Sequence, residues 1–241
     1  MPPSVLDFNR RAELTELMDQ PCSREEMRAC LQDLSKVNRW FLAYRPILRW
    51  LDSLELGKRG TTVNIVDVGC GYGDTLRHIE TWAHQHGISV KLTGCDLNPD
   101  SMAIAAQASS KTSHIQWVAE DIFRYTSSEP IDIAMSSLFT HHLVEKDIVR
   151  FLKWMEENTQ VGWFINDLSR AAIPYHLFKA FSKLAGLHPF VQHDGPVSIA
   201  RAFVVEDWRR MCAAAGLRDD DIVIQGFTPA RLCVARTKQR D

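Results

Sequence analysis

The chain has 241 residues, of which 45% are hydrophobic and 24% are charged, which is ordinary for a globular protein with one sizeable core. Its formal net charge of -2 argues against a nucleic-acid partner and favours a small-molecule partner. The six cysteines form no CxxC pair and no apolar run is long enough to span a membrane, so we expect reduced thiols and a cytoplasmic protein, as a monomer or homodimer.

The first sixty residues are predicted to form a helical cap. Ser23 followed by Glu26 is a capping-box pattern, and apolar residues then recur at helical spacing. Pro46 breaks or kinks this helix, and a second short helix follows it. We therefore divide the chain into a cap, residues 1–60, and a ligand-binding domain, residues 61–241, which together form one compact unit.

From Thr62 the pattern changes to strands that alternate with helices, which is typical of a parallel sheet covered on both faces. Asp74 is expected to cap the first of these helices, and Gly87 to end it. Asn98 followed by Pro99 begins the next helix in the preferred manner. The predicted strands cover residues 63–68, 90–95, 115–119, 131–136 and 163–168.

The regular alternation lapses at residues 169–205, and we interpret this stretch as an insertion with a functional role. It contains an aromatic helix and then a polar stretch, residues 193–201, that is expected to form a turn. A last helix begins at Glu206 and ends at Gly216. Residues 222–235 are predicted to form a closing β-hairpin.

Residues 66–74, Val-Asp-Val-Gly-Cys-Gly-Tyr-Gly-Asp, indicate a strand, a tight turn and a helix N-terminus. Glycine permits close backbone approach, and a helix N-terminus offers unpaired N–H groups. Asp96 closes the second strand, where an acidic group can accept both hydroxyls of a ribose. After the third strand, Glu120 and Asp121 can receive the amine of an adenine, and Ile122 can pack on its ring. Together these positions predict a nucleoside-type cofactor.

The spacing of the glycines helps to choose the cofactor. A dinucleotide site prefers GxGxxG, whereas Gly69, Gly71 and Gly73 form GxGxG, with Asp74 in place of the final glycine. A carboxylate would repel a pyrophosphate, but Asp67 and Asp74 would attract an α-ammonium group. The pattern favours S-adenosylmethionine (SAM). A NAD(P)-dependent Rossmann reductase is the alternative, although the chain has no recognisable YxxxK catalytic pair.

At these residues the chain resembles class I SAM-dependent methyltransferases, over roughly residues 62–236. The resemblance implies a Rossmann-like α/β fold whose seven-stranded mixed sheet has the order 3-2-1-4-5-7-6, with the N-terminal helical cap and an insertion after strand 5. It implies SAM as the cofactor. The residues expected to bind it are Asp67, Gly69, Gly71, Tyr72, Gly73, Asp96, Leu97, Glu120, Asp121, Ile122, Ser137 and Arg45.

Three further stretches resemble a narrower group, the bacterial ubiquinone-biosynthesis-like methyltransferases that act on aromatic or polyketide-type small molecules. They are Val-Asn-Arg-Trp with Tyr-Arg at residues 37–45, Leu-Phe-Thr-His-His at 138–142, and Asn-Asp-Leu-Ser-Arg at 166–170. The resemblance implies that the acceptor is a small molecule of this chemical kind.

His141 and His142 follow the fourth strand, at the position that faces a cofactor's methyl group in such a sheet. A histidine can take a proton from a phenol or enol, so both are candidate bases or substrate contacts; the alternative is that at least one caps the next helix or bonds to the backbone. We expect no metal, because adjacent side chains diverge and no third ligand has a diagnostic spacing.

Other candidates to contact the acceptor lie near the cap, strand five and the insertion. For Arg170, the alternative is a structural salt bridge to Asp167 or Asp194. For the aromatic residues, the alternative is a place in the core. The candidates are Tyr44, Asn166, Arg170, Tyr175 and Arg201.

The sequence therefore predicts an enzyme of small-molecule biosynthesis that moves a methyl group from SAM to an acceptor. The expected acceptor group is an aromatic, quinol or polyketide-like hydroxyl, or an enol carbon, with O-methylation favoured over C- or N-methylation. Besides the reductase, a second alternative is a catalytically silent SAM-binding protein that serves as a partner or regulatory subunit.

Overall fold

The computed structural model describes residues 6–56 and 60–238. A mixed sheet at its centre has the order β3-β2-β1-β4-β5-β7-β6, which confirms the predicted topology. Strands β1 to β5 are parallel, whereas β7 runs antiparallel to both β5 and β6. The strands are β1 (Val63–Val68), β2 (Val90–Asp96), β3 (Gln116–Ala119), β4 (Ile131–Ser137), β5 (Thr159–Leu168), β6 (Val223–Phe227) and β7 (Arg231–Thr237).

Helices cover both faces of the sheet. The helices of the described residues are α1 (Arg24–Trp40), α2 (Arg45–Ser53), α3 (Asp74–His86), α4 (Pro99–Ala108), α5 (Glu145–Asn158), α6 (Ala172–Leu184), α7 (Pro189–Arg201) and α8 (Val205–Ala214). On one face, α5 and α8 pack against Val66 of β1 and Ile165 of β5. On the other, α2 and α3 pack against Ile65 and Ile133. Neighbouring strand residues therefore belong to two hydrophobic cores, as expected where a parallel sheet is buried on both sides.

Local signals place several helix ends correctly. Ser23 and Glu26 form the predicted capping box at the start of α1, and Asn98 caps α4 by accepting from two backbone N–H groups. Gly87 ends α3 in the left-handed conformation. The predicted cap at Asp74 is wrong, because Gly73 occupies the N-cap position with a φ of 71°. The Asp74 side chain instead accepts hydrogen bonds from the side chains of Asn38 and Tyr44, in the N-terminal helical region.

The insertion consists of two packed helices. The predicted aromatic helix is confirmed as α6, but the prediction of a turn at residues 193–201 is wrong, since these residues lie in α7. The Gly195-Pro196 pair suggested a turn, yet Gly195 serves helix packing: a Cβ there would lie 2.0 Å from Cε1 of Phe178 on α6. This requirement arises from tertiary contacts that a local sequence pattern does not reveal.

The N-terminal segment and α1 lie against the insertion. The N–H groups of Leu17 and Met18 donate to the carboxylate of Asp194 on α7, over 2.8 and 3.0 Å. Cys30 and Val37 of α1 pack in one hydrophobic cluster with Val191 of α7. The segment before α1, α1 itself, and the insertion helices α6 and α7 together cover the carboxyl ends of the parallel strands; we call this covering layer the roof.

The division into a cap, residues 1–60, and a domain, residues 61–241, stays a prediction, and residues 1–5, 57–59 and 239–241 lie outside the described residues. Among the residues that the structure describes, the helices are too short or too polar to cross a bilayer.

Candidate active site

A cavity of about 460 Å³ lies beneath this roof, over the carboxyl ends of the central strands. Open α/β sheets bind their ligands at this edge. The glycine turn after β1 lines one part of the cavity, and the residues after β4 line another. A larger depression of about 1030 Å³ elsewhere on the surface contains none of the predicted site residues. The smaller cavity is therefore the candidate active site.

The glycine turn is held by the neighbouring strand. The N–H of Gly69 donates to the carbonyl oxygen of Cys95 over 2.8 Å. Gly69 has a φ of 67°, and a Cβ at this position would lie 2.4 Å from the Phe139 ring. A Cβ on Gly73 would lie 2.1 Å from Trp117. Larger residues are excluded at both positions, by backbone conformation and by neighbouring rings.

Asp96 is fixed at the end of β2 by two backbone donors. The N–H of Gly71 donates to Oδ2 over 3.0 Å, and that of Asn98 donates to Oδ1 over 2.9 Å. Burial raises the pKa of Asp96, although these two hydrogen bonds oppose the shift. Each carboxylate oxygen retains lone-pair capacity, and the residue lines the cavity. Asp96 can thus accept hydrogen bonds from a ligand without losing its support.

The residues expected around an adenine lie together. Leu97 is 71% exposed despite being apolar, and it lines the same cavity as the buried Ile122. Glu120 and Asp121 lie beside them, and Asp121 accepts a hydrogen bond from the N–H of Phe123 over 3.0 Å. An apolar edge next to carboxylates suits a flat ring that carries an amine. The other predicted cofactor residues that line the cavity are Gly69, Gly71, Tyr72, Asp96 and Ser137.

Two ionisable side chains near the glycine turn, Asp67 and Arg231, have unsatisfied atoms among the described residues. Asp67 is 1% exposed, and neither of its carboxylate oxygens has a hydrogen-bond partner. Burial raises its pKa well above the usual range, and the nearby Asp74 and Asp96 add to the shift. The buried Nη1 of Arg231, a residue that lines the cavity, also lacks a partner. Such groups are costly unless a ligand or water pairs with them.

Arg231 was missed by the sequence reasoning. Its Nη2 donates to Oδ1 of Asn38 over 3.1 Å, and Nδ2 of Asn38 donates to Oδ2 of Asp74 over 3.1 Å. Arg231 begins β7 and lies opposite Leu168, at the carboxyl end of β5. Arg231 reaches the cavity because the closing hairpin pairs with β5, so that Arg231 lies at the carboxyl ends of the parallel strands.

His141 is held by a buried carboxylate on the other side of the cavity. The ring atom Nδ1 of His141 lies 2.7 Å from Oδ1 of Asp167, and the backbone N–H of His141 donates to Oδ2 of the same carboxylate over 3.0 Å. Burial alone would raise the pKa of Asp167, but His141 together with hydrogen bonds from Thr140 and the Leu168 N–H lowers it below its usual range. An ionised Asp167 selects the His141 tautomer with a proton on Nδ1, which leaves Nε2 free.

His142 and Glu16 complete a second polar group. The Nδ1 atom of His142 lies 3.0 Å from Oδ1 of Asp19. The Glu16 carboxylate is 4% exposed and stands between the two imidazoles: Oε1 lies 3.7 Å from Nε2 of His141, and Oε2 lies 3.8 Å from Nε2 of His142. Burial raises the pKa of Glu16 to about 7, although His142 and Arg201 oppose the shift.

The premise that the adjacent histidine side chains diverge is wrong. Residues Thr140–His142 form a 3₁₀ turn, and the two rings lie 4.3 Å apart with 36° between their planes. The third member of the group, Glu16, is far away in sequence and reaches the site through the N-terminal segment. No local spacing could have identified it.

Several other predicted contacts lie outside the lining of the cavity. Arg170 pairs with Asp207 over 3.1 Å, rather than with Asp167 or Asp194, and also donates to two backbone carbonyls. Arg201 pairs with Glu16 and Asp19 over 3.3 and 3.0 Å. Both arginines thus fix the surroundings of the site.

The remaining candidates are also placed in supporting positions. Tyr44 is buried and donates from its hydroxyl to Asp74. Asn166 donates to the carbonyl of Ala43 over 2.8 Å and to Oγ of Ser137 over 3.1 Å. Tyr175 packs edge-on against Phe8. The predicted site residues that do not line the cavity are Arg45, Asp67, Gly73, Tyr44, Asn166, Arg170, Tyr175 and Arg201.

Comparison with known proteins identifies the class of this fold. Residues 65–162 match a family model described as a methyltransferase domain. No curated protein matches the sequence at a significant level.

Among solved structures, the plantazolicin methyltransferase BpumL, in complex with a monoazolic desmethylPZN analog and SAH, is 14% identical; the match covers 89% of this chain and 96% of that one, with a TM-score of 0.60. Human N-acetylserotonin methyltransferase, in complex with SAM, is 15% identical over 90% of this chain and 57% of that one, with a TM-score of 0.63. A SAM-dependent methyltransferase from Aquifex aeolicus is 14% identical over 90% and 98% of the two chains, with a TM-score of 0.60.

The chain thus has the class I SAM-dependent methyltransferase fold, and residues 65–162 of that fold match the methyltransferase-domain model. The resemblance inferred from the glycine turn is confirmed at this level. The expectation of SAM as the cofactor agrees with the SAM and SAH present in similar folds.

Proposed function

We propose that this protein transfers a methyl group from SAM to a hydroxyl oxygen, or an enol carbon, of a small organic acceptor. One observation carries the proposal: a single cavity is lined both by the glycine turn with Asp96 and by the two histidines after β4. A donor and an acceptor bound in these two parts would face each other. Bound SAM would supply an electrophilic methyl group, activated by its sulfonium.

The cofactor part of the cavity fits each portion of SAM. Asp96 would bind the ribose hydroxyls, and Leu97 and Ile122 would pack on the adenine. The unsatisfied Nη1 of Arg231 would bind the methionine carboxylate, because a guanidinium forms strong charge-assisted hydrogen bonds with such a group. Asp74, which lines the cavity, would supply negative charge for the ammonium group.

The acceptor part combines polar and apolar surfaces. His141, His142 and Glu16 would bind the reacting hydroxyl, and an imidazole Nε2 or the Glu16 carboxylate would accept its proton as the oxygen takes the methyl group and S-adenosylhomocysteine leaves. The apolar lining suits an aromatic or polyketide-like skeleton, and it includes Met18, Leu34, Phe139, Phe178 and Val191. The roof would exclude water and hold the acceptor in line with the methyl group. Alignment of this kind supplies a large share of the rate enhancement.

A binding comparison tests the proposed cofactor against the reductase alternative. Calorimetric titration of the protein with SAM, and separately with NADPH, is expected to give saturable binding of SAM alone. The physical reason is that the Asp74 carboxylate, which lines the cavity, would repel a pyrophosphate at the glycine turn. Saturable binding of NADPH without binding of SAM would contradict the proposal.

A further inference from the structure

We infer that Glu16, His141 and His142 bind one divalent ion of the zinc and cobalt type in the acceptor part of the cavity. The inference rests on the proposed function, because the same three residues are expected to contact the reacting hydroxyl. The sequence predicts no metal, because the side chains of adjacent histidines are expected to diverge. The two rings instead lie close together, so that reason no longer holds.

The donor atoms have the separations that a shared ion requires. One ligand atom from each residue lies within 4.8 Å of the other two. The Nε2 atoms lie 3.7 and 3.8 Å from the Glu16 oxygens, too far for a direct hydrogen bond. Tetrahedral Zn²⁺ with ligand bonds of about 2.0–2.2 Å separates its ligand atoms by roughly 3.3–3.5 Å. The two short distances involve different Glu16 oxygens, and the three ligand atoms lie up to 4.8 Å apart, so side-chain movements of about 1 Å would complete the site.

The groups around the ligands select the correct nitrogen on each ring. Asp167 lies 2.7 Å from Nδ1 of His141, and Asp19 lies 3.0 Å from Nδ1 of His142. Metal-binding histidines commonly donate their second ring N–H to a carboxylate, which fixes the tautomer and strengthens the ligand. Both imidazoles thus present Nε2 to the same carboxylate, an arrangement that a single catalytic histidine would not require.

The charge around the group also suits a cation. The carboxyl groups of Glu16, Asp19 and Asp167 outnumber the two nearby guanidinium groups, those of Arg201 and of Arg11, which donates to the carbonyl oxygen of His141. Arg201 lies 3.3 Å from Oε1 of Glu16 and 3.0 Å from Oδ2 of Asp19. It can thus hold the N-terminal segment in place while Oε2 remains available to an ion.

The donor set indicates the kind of ion and its role. Two imidazoles and one carboxylate suit zinc or cobalt, whereas Mg²⁺ prefers oxygen ligands. Catalytic zinc sites use three protein ligands and keep one position open. Here the three residues line the cavity, so the open position would face the acceptor. An acceptor oxygen bound there would be polarised by the ion.

Cobalt titration tests the site without measuring activity. Protein treated with a chelator is titrated with Co²⁺, and visible absorption bands are followed. We expect one Co²⁺ per chain, displaced by Zn²⁺, because both ions suit this donor set. Glu16→Gln and His142→Ala should each weaken Co²⁺ binding by at least about 100-fold, and Asp19→Ala by about 10- to 100-fold.

His86→Ala is the matched control. The Nε2 atom of His86 also lies 3.8 Å from a carboxylate oxygen, that of Asp52, but outside the cavity, and this variant should bind Co²⁺ like the wild type. Circular dichroism and SAM titration verify that each variant is folded. Absence of Co²⁺ binding by wild-type protein that still binds SAM would overturn the metal site alone, as would binding that survives Glu16→Gln and His142→Ala. Failure of the wild type to bind SAM would instead contradict the proposed function.

Discussion

Replacing Asp96 with alanine is expected to raise the Kd of SAM by at least about 100-fold. The carboxylate closes β2 at the cavity, and hydrogen bonds to charged groups contribute about 1.5–3 kcal/mol each. Loss of two such bonds to a ribose accounts for the expected change. Isothermal titration calorimetry of wild type and variant measures it directly.

Asp96→Asn provides the matched control for the turn itself. An amide retains an oxygen that can accept from Gly71 or Asn98, so this variant should keep more of the turn structure and lose less SAM affinity. Thermal unfolding of both variants separates loss of binding from loss of folding. An unchanged Kd in folded Asp96→Ala protein would contradict the placement of the ribose.

The other end of the cofactor gives a second arm of the same titration. Arg231→Gln removes the charged donor expected to bind the methionine carboxylate, and should raise the Kd of SAM by about 10-fold or more. Arg236→Gln is the control, because Arg236 lies on the same strand but pairs with Glu156 and Asp221 outside the cavity. Equal Kd values for these two variants would exclude Arg231 from cofactor binding.

His141→Asn is expected to lower the turnover number by about 100- to 10,000-fold, while the Kd of SAM changes less than about 3-fold. The asparagine amide can still donate to Asp167, as Nδ1 of the histidine does, so the buried carboxylate keeps a partner. The variant lacks an equivalent of Nε2, the atom that faces Glu16 and the acceptor. Steady-state kinetics and SAM calorimetry on the same preparation measure the two effects.

His86→Asn is the control for that substitution, since His86 is exposed on α3, away from the cavity. It should leave turnover unchanged. Parallel losses of SAM affinity and turnover in His141→Asn would mean that His141 supports the whole structure rather than the acceptor site.

The elements that position the cofactor could be predicted because their signals are local. The glycines of the turn, Asn98 with Pro99, and Gly87 each satisfy a backbone requirement within a few residues. The strand order followed from the family resemblance together with an element count. The helix at residues 193–201 could not be predicted, because Gly195 is required there by close packing against Phe178 of α6, a contact between distant parts of the sequence.

The acceptor side was harder to predict because its residues are distant in sequence. His141 and His142 were identified from their place after strand four, but their relative orientation depends on a 3₁₀ turn. Glu16 and Arg231 come from opposite ends of the chain and meet the cavity only after α1 and the closing hairpin have packed. Arg170 and Arg201 carried a charge suited to an acceptor, yet each is paired with carboxylates at the edge of the site.

The proposed function requires the cavity to bring a methyl donor to a small-molecule acceptor. The most direct test is incubation of the protein with methyl-labelled SAM and a panel of phenols, quinols, enols and amines, with products detected by mass spectrometry. We predict label transfer to a hydroxyl or enol compound, and its loss in His141→Asn. Tight SAM binding without transfer to any compound in the panel would contradict the claim and favour a catalytically silent SAM-binding partner.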